Sequence, residues 1–216
     1  MVIGMLRALR GDLGNAMTVM VRPYDFLMEE AASRGTRKVV RYYAVLSLVL
    51  ALLTPLANVA GFPSDVVHAS TNAQMGAYKY APLVEELTGV SRHVWTGVLT
   101  FLLMMVKLPF FVVFFHAFAL LLGGKGDLGA SLRLVVYAGT PAMLLGWVPY
   151  SDFIFGLWVG FLYVPALRYL HGVHWGRAVA FGTFLMGLQI LYVVLTGGGW
   201  LIEALRDADH SPPHSW

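Results

Sequence analysis

Residues 94–122 read VWTGVLTFLLMMVKLPFFVVFFHAFALLL. Lys107 and His116 are the only ionisable side chains in this run. A hydrocarbon core about 30 Å thick needs about 20 apolar residues of helix, and the run exceeds that length. No two-residue alternation passes through it, which argues against a transmembrane barrel strand. Comparable stretches cover residues 39–61 before it and residues 131–147, 153–170 and 177–196 after it. The fold expected is all-α, a polytopic membrane bundle of five transmembrane helices. The third and fourth spans are separated only by WVPYSD, which makes them a tight hairpin.

Composition agrees with lipid as the main solvent. The 216-residue chain is 58% hydrophobic and 12% charged, against about 45–50% and about 25% in soluble domains. It has no cysteine, which excludes disulfide scaffolds, thiol catalysis and zinc–cysteine sites. Low charge and high apolar content exclude disorder. A net charge of +3 gives no argument for nucleic acid. The first span begins too late and runs too long to be a signal peptide.

The distribution of charge sets an expected orientation. With the N-terminus in the cytoplasm, the inner side holds Arg7, Arg10, Arg22, Arg34, Arg37, Lys38, Arg41, Lys125, Arg133, Arg168 and Arg177. The outer side holds Lys79, Arg92 and Arg206. Tyr42, Tyr43, Tyr169 and Trp175 mark the inner interface; Trp95, Trp147, Tyr150 and Trp200 mark the outer one. The reading is N-terminus in, C-terminus out.

Three regions follow from these boundaries. Residues 1–38 are cytoplasmic, residues 39–200 form the membrane domain with an external loop at 62–93, and residues 201–216 are a polar external tail. In the first region Leu6, Leu9, Leu13, Met17 and Met20 recur at helical spacing, with Arg7, Arg10, Asp12 and Asn15 off that stripe. This is an amphipathic interfacial helix whose arginines meet anionic headgroups. A second short helix starts at Pro23 and ends at Gly35. The two helices either bind lipid or simply cap the bundle.

Several residues could carry chemistry. Gly124, Gly126 and Gly129 spell GxGxxG, but a membrane span precedes them where a dinucleotide fold needs a strand. A tight cytoplasmic turn is the better account, and Lys125 with Arg133 could there hold a lipid phosphate. Lys107 lies inside its span near Pro109, with no acidic residue at matching depth. It either borders a polar path with His116, Asn58 and Gln189 or snorkels along its own stem. His116, His171 and His174 fall on one membrane face and could bind zinc with Asp127 as a fourth ligand, or be scattered interfacial histidines. Small residues recur four apart at Gly156/Gly160, Ala178/Gly182, Thr183/Gly187 and Ala138/Ala142. Such pairs pack the monomer or join copies of it. No nucleophile–base pair or shared pair of carboxylates stands out, and no cofactor is expected.

From residue 123 the chain runs GGKGDLGASLRLVVYAGTPAMLLGWVPYSDFIFGLWVGFLYVPALRYLHGVHWGRAVAFG. A glycine-rich turn at Gly124 and Gly126 leads to Tyr-Ala-x-x-Pro at Tyr137 and Pro141. A hairpin at Pro149 then leads to Gly-Leu-Trp at Gly156 and Trp158. Last comes His-Gly at Gly172, before a helix start at Arg177. With MVRPYDFLMEE ahead of the first span, this order resembles the Yip family, the Ypt/Rab-interacting membrane proteins, in its prokaryotic form. The resemblance implies five helices with a cytoplasmic N-terminus. Eukaryotic members act in vesicle traffic between endoplasmic reticulum and Golgi and bind small prenylated GTPases. This chain echoes their external Asp-Leu-x-Gly-Pro element only as Glu86-Leu-Thr-Gly89.

The functional expectation is a non-enzymatic integral protein of a prokaryotic cell membrane that binds lipid and protein partners, other copies of itself included. The alternative is a small channel or transporter for an ion or lipid, through a polar path near Lys107 and His116. A metal-dependent membrane enzyme comes third, resting on the three histidines.

Overall fold

A computed structural model describes residues 2–33, 35–59, 89–148 and 151–210. The helices are α1 (Val2–Val21), α2 (Pro23–Ala31), α3 (Thr36–Val59), α4 (Gly89–Leu121), α5 (Leu128–Ala138), α6 (Thr140–Leu145), α7 (Ser151–His171) and α8 (Trp175–His210). Among the described residues there is no strand. Most of the external loop, the hairpin residue Pro149 and the last six residues lie outside them.

Among the described residues four segments are long and apolar enough to cross a membrane: Thr36–Ala57, His93–Leu121, Leu128–Leu145 and Ile154–His171. They coincide with the first four expected spans. The third is two helices rather than one. Pro141 offers no N–H to the carbonyl of Tyr137 four residues earlier, so α5 ends at Ala138 and α6 restarts after Gly139. The fifth expected span falls within α8, which is not among the four. Helix α4 opens at Gly89, so the final residues of the expected external loop belong to its first turn.

Helix α7 is the centre of the bundle and packs against α2, α5, α6 and α8. Residues Leu162 to Leu167 are buried without interruption, which an α-helix allows only when every face is covered. The tightest seam joins α7 to α8. A methyl group at Gly160 would lie 2.8 Å from Met186 Cγ, and one at Gly182 would lie 2.5 Å from Val164 Cγ2. Gly160, Ala178 and Gly182 thus serve packing within one chain, while Thr183 and Gly187 face outward. Helix α4 is the opposite case: Val106 is 70% and Phe110 66% exposed along its outer side.

The N-terminal helices close one end of this bundle. Helix α2 starts at Pro23 as expected and stops at Ala31, short of Gly35. It buries Phe26, Leu27 and Glu30. In α1 the buried face is Asp12, Ala16 and Val19, while Leu13 and Met17 of the expected apolar stripe are exposed. The correction has a simple cause. A short polar side chain can face the bundle if it carries a partner with it, and Asp12 has one. Arg41 of α3 donates to both its carboxylate oxygens, at 3.0 and 3.1 Å.

The two partners of that pair are unequal. The Asp12 side chain is 1% exposed and that of Arg41 51%. Loss of Arg41 strands a buried carboxylate, whereas loss of Asp12 leaves a guanidinium that can turn outward. Arg41→Met is therefore expected to destabilise the protein more than Asp12→Leu, by about 1–3 kcal/mol. Thermal unfolding of the two variants in one detergent measures the difference.

Candidate functional site

The end of the bundle covered by α1 and α2 gathers most of the residues singled out in the sequence. Helix α4 stops there in a glycine-dependent cap. Gly123 has φ +86°, its N–H bonds to Leu120 O, and the Gly124 N–H bonds to Ala119 O at 2.8 Å. This pair of bonds is a Schellman cap, and the left-handed residue in it favours glycine. Arg177 from the start of α8 donates through Nη1 to Leu122 O at 3.1 Å, closing a carbonyl that the helix leaves open. Helix α7 ends in a related way, with Gly172 at φ +68° and its N–H on Arg168 O.

The two caps are pressed together. The Lys125 N–H donates to His171 O at 2.8 Å. A methyl group at Gly126 would lie 2.6 Å from His171 Nδ1 and 2.7 Å from Leu170 O, so only glycine lets the turn approach this closely. Gly124, Gly126, Gly172 and Arg177 are thus parts of one junction. The GxGxxG spelling reflects backbone contact with α7 and not a phosphate loop.

Behind the turn, Ser131 Oγ lies 2.9 Å from His116 Nδ1 and 3.1 Å from His171 Nε2. A hydroxyl has one proton, so at most one imidazole accepts from Ser131, and at least one donates to it. Ser131 is fully buried, and this chain of bonds ties α4, α5 and α7 into one unit. The three histidines do not converge on one point. Both nitrogens that face Ser131 are engaged, and His174 is exposed with its Nδ1 accepting from the Gly176 N–H. Asp127 is also occupied, since its carboxylate caps α5 by accepting from the Ala130 N–H at 2.7 Å. Among the described residues no three His, Asp or Glu side chains gather as metal ligands would.

The same cap bears on the lipid-phosphate pair. The Asp127 carboxylate fills the place an anion would take at the α5 N-terminus. Lys125 is exposed and Arg133 is buried, with no hydrogen-bond partner at its Nε among the described residues. A joint grip by these two cations therefore has no support.

Tyr137 belongs to a third cluster, between α5 and the N-terminal helices, and Pro141 is buried in the first turn of α6. The Tyr137 hydroxyl donates to Glu30 Oε2 at 3.1 Å, and Lys38 lies 3.7 Å from the other oxygen of that carboxylate. The Tyr137 ring meets Phe26 at 4.8 Å and Tyr42 at 5.4 Å, both edge-on. Tyr42 OH and Thr140 Oγ1 lie 2.9 Å apart. Tyr137 thereby holds α2 to the span.

Away from this end, a cavity of about 500 Å³ opens among α3 to α8. Lys107 and Gln189 both line it, with Tyr43, Tyr163 and Tyr192, among mostly apolar walls. Gly156 is what admits Gln189, since a methyl group there would lie 2.5 Å from Gln189 Cδ. Two of the expected intramembrane polar residues therefore share one space. His116 does not line it, and Asn58 lies in the last turn of α3, beyond the side chains described. Trp158 is near the outer surface of α7, against Phe161.

The residues that sequence reasoning did not assign here are Asp12, Glu30, Arg41 and Ser131. Asp12 and Glu30 carried a signal, as acids in short helices rich in apolar residues; Ser131 carried none. Ser131→Ala removes a partner from each histidine and leaves buried His171 without a side-chain bond at either nitrogen. It is expected to cost about 1–3 kcal/mol. Gly126→Val is expected to cost more, while Lys125→Ala, which keeps the backbone bond, is expected to be nearly neutral. Thermal melts of the purified variants, with circular dichroism to check helicity, test this order.

Comparison with family models gives a match over most of the chain. The family model described as Yip1 domain covers residues 17–197. Comparisons with curated proteins and with solved structures return no match. The matched region runs from α1 into α8 and contains the glycine junction, the Tyr137 cluster and the cavity. On that coverage, this all-helical membrane protein belongs to the Yip1 domain family.

Proposed function

We propose that the chain is a non-enzymatic scaffold of a prokaryotic cell membrane, with five spans, its N-terminus in the cytoplasm and its C-terminus outside. It binds lipid at its inner surface and protein partners, other copies included, on its exposed helix faces. One observation carries this reading. Helices α1 and α2 are held to the bundle by the Asp12–Arg41 and Glu30–Tyr137 contacts, and they leave Leu13, Met17, Val21, Tyr24 and Met28 exposed. Arg10, Arg22 and Arg37 are exposed close by in the chain. Apolar side chains flanked by cations favour an anionic bilayer surface. The alternative, transport through a path joining Lys107 to His116, draws support from the space that Lys107 shares with Gln189 and none from His116.

The absence of cysteine makes single-site labelling clean. An environment-sensitive dye on Met17→Cys is expected to shift to the blue when phosphatidylglycerol replaces phosphatidylcholine in proteoliposomes. Adding Arg10→Gln and Arg22→Gln is expected to abolish the difference. A signal that ignores lipid charge removes the lipid half of the reading. For the topology, Lys125→Cys and Trp216→Cys are expected to react with an impermeant maleimide from opposite sides. Labelling of both from one side overturns the five-span arrangement.

A further inference from the structure

Arg133 carries an inference that deepens the lipid-binding reading and rests on it, in that the end closed by α1 and α2 must meet the headgroup region. We infer that the tip of Arg133 binds one phosphate group, carried by an anionic lipid headgroup or free in solution, at the elbow where α2 gives way to α3.

The arginine itself is the first observation. Arg133 is 7% exposed, and its Nε is enclosed without a hydrogen-bond partner. Among the described residues no hydrogen bond or ion pair engages its terminal nitrogens either. Unlike Nε, those nitrogens are not shut off from solvent. Two carboxylates stand nearby and both are occupied. Asp127 accepts from the Ala130 N–H, and Glu30 accepts from Tyr137 with Lys38 at its other oxygen. Glu30 is thus one negative charge between two cations, and the elbow keeps a positive charge. A buried cation without a partner costs stability, and its retention calls for an anion from outside the chain.

Position is the second. Gly129, Arg133 and Tyr137 are four residues apart and lie along one stripe of α5. At one end of the stripe a methyl group on Gly129 would lie 3.3 Å from Thr36 Cγ2. At the other end Tyr137 meets Glu30 of α2 and Tyr42 of α3. Arg133 stands between these contacts and therefore faces the elbow. Its charge acts on Tyr137 to one side and on His171 to the other. Arg37 and Lys38, in the first turn of α3, are exposed at the same place.

Depth is the third and selects the anion. Arg133 is five residues into the span that begins at Leu128, about 7.5 Å along a helix. Long side chains on a helix lean toward its N-terminus, which returns the guanidinium to the level of the span's edge. Headgroup phosphates lie just outside the hydrocarbon core, at that level. The planar fork of a guanidinium matches two oxygens of a phosphate.

The test uses the full-length protein in a neutral detergent, in buffer free of phosphate and sulfate, and reads thermal unfolding. Phosphatidylglycerol is expected to raise the melting temperature of the parent, and phosphatidylcholine, which carries its own cation, is expected not to. Arg133→Met removes a buried unpaired charge, so it is expected to melt above the parent without lipid and to gain nothing from phosphatidylglycerol. Arg133→Lys, which keeps the charge without the fork, is expected to keep part of the gain, and Lys125→Ala all of it. Native mass spectrometry is expected to show one phosphatidylglycerol held by the parent. Retention by Arg133→Met is expected to be about tenfold weaker, the loss of one charge-assisted contact. Protection of the parent by inorganic phosphate but not by phosphatidylglycerol, lost in Arg133→Met, assigns the site to the free ion. Equal gains for parent and Arg133→Met overturn the site. So does a lipid-free melt of Arg133→Met below that of the parent, which means that the chain itself holds the arginine. A gain from palmitate equal to that from phosphatidylglycerol overturns phosphate as the group recognised. The dye on Met17→Cys reads the surface of α1 independently of Arg133. A dye response without an Arg133-dependent gain therefore removes this site alone, and a gain without a dye response removes the α1 surface reading alone.

Discussion

Hydrocarbon offers no hydrogen bond, so every polar side chain inside this bundle depends on another part of the chain for its partner. That constraint explains where the long-range bonds lie. Arg41 reaches Asp12 and Tyr137 reaches Glu30. Ser131 joins His116 to His171, and Tyr42 meets Thr140. All four contacts lie toward the end closed by α1 and α2. Together they lock helix ends, and a further bond from the Tyr43 hydroxyl to Met104 O ties α3 to α4 within the spans.

Packing in lipid has its own requirement, since apolar side chains gain little by leaving one hydrocarbon environment for another. Close backbone approach must supply the attraction. Helix α7 achieves it against α8 through Gly160 and Gly182, and against the turn after α4 through Gly126. Helix α4 has few such contacts on its outer side and lines a cavity on its inner side. That cavity also reaches Gly156 and Gly160 of the α7–α8 seam, and Lys107, deep in α4, borders it.

The family motifs gain a physical meaning from this arrangement. Gly124 and Gly126 are separated from Gly172 and Arg177 by the whole of α5, α6 and α7 in sequence, and the four form one junction in space. Tyr137 and Pro141 have separate roles: the proline interrupts the third span, and the tyrosine hydroxyl reaches Glu30. Each was legible as a motif, since glycine and proline mark backbone geometry wherever they occur. Their mutual contact was not, because spacing along a chain does not say which helix end meets which. The histidines show the same limit. A shared face left His116, His171 and His174 open to two readings, a metal site or scattered interfacial residues; in the fold two of them are bridged by Ser131 and the third is exposed.

The sequence by itself determined the solvent, the helical class and the first four spans, because each depends on apolar length, which is a local quantity. It also marked Lys107 and Gln189 as polar residues within apolar runs, since a polar group in hydrocarbon is costly until something meets it. Only the tertiary structure decided that these two share one cavity while His116 is held elsewhere. It alone turned Asp12 inward and Leu13 outward on α1. Both outcomes depend on which helix faces which, and facing is settled by partners far away in the chain: Arg41 for Asp12, Ser131 for His116, and the bare backbone of Gly156 for Gln189.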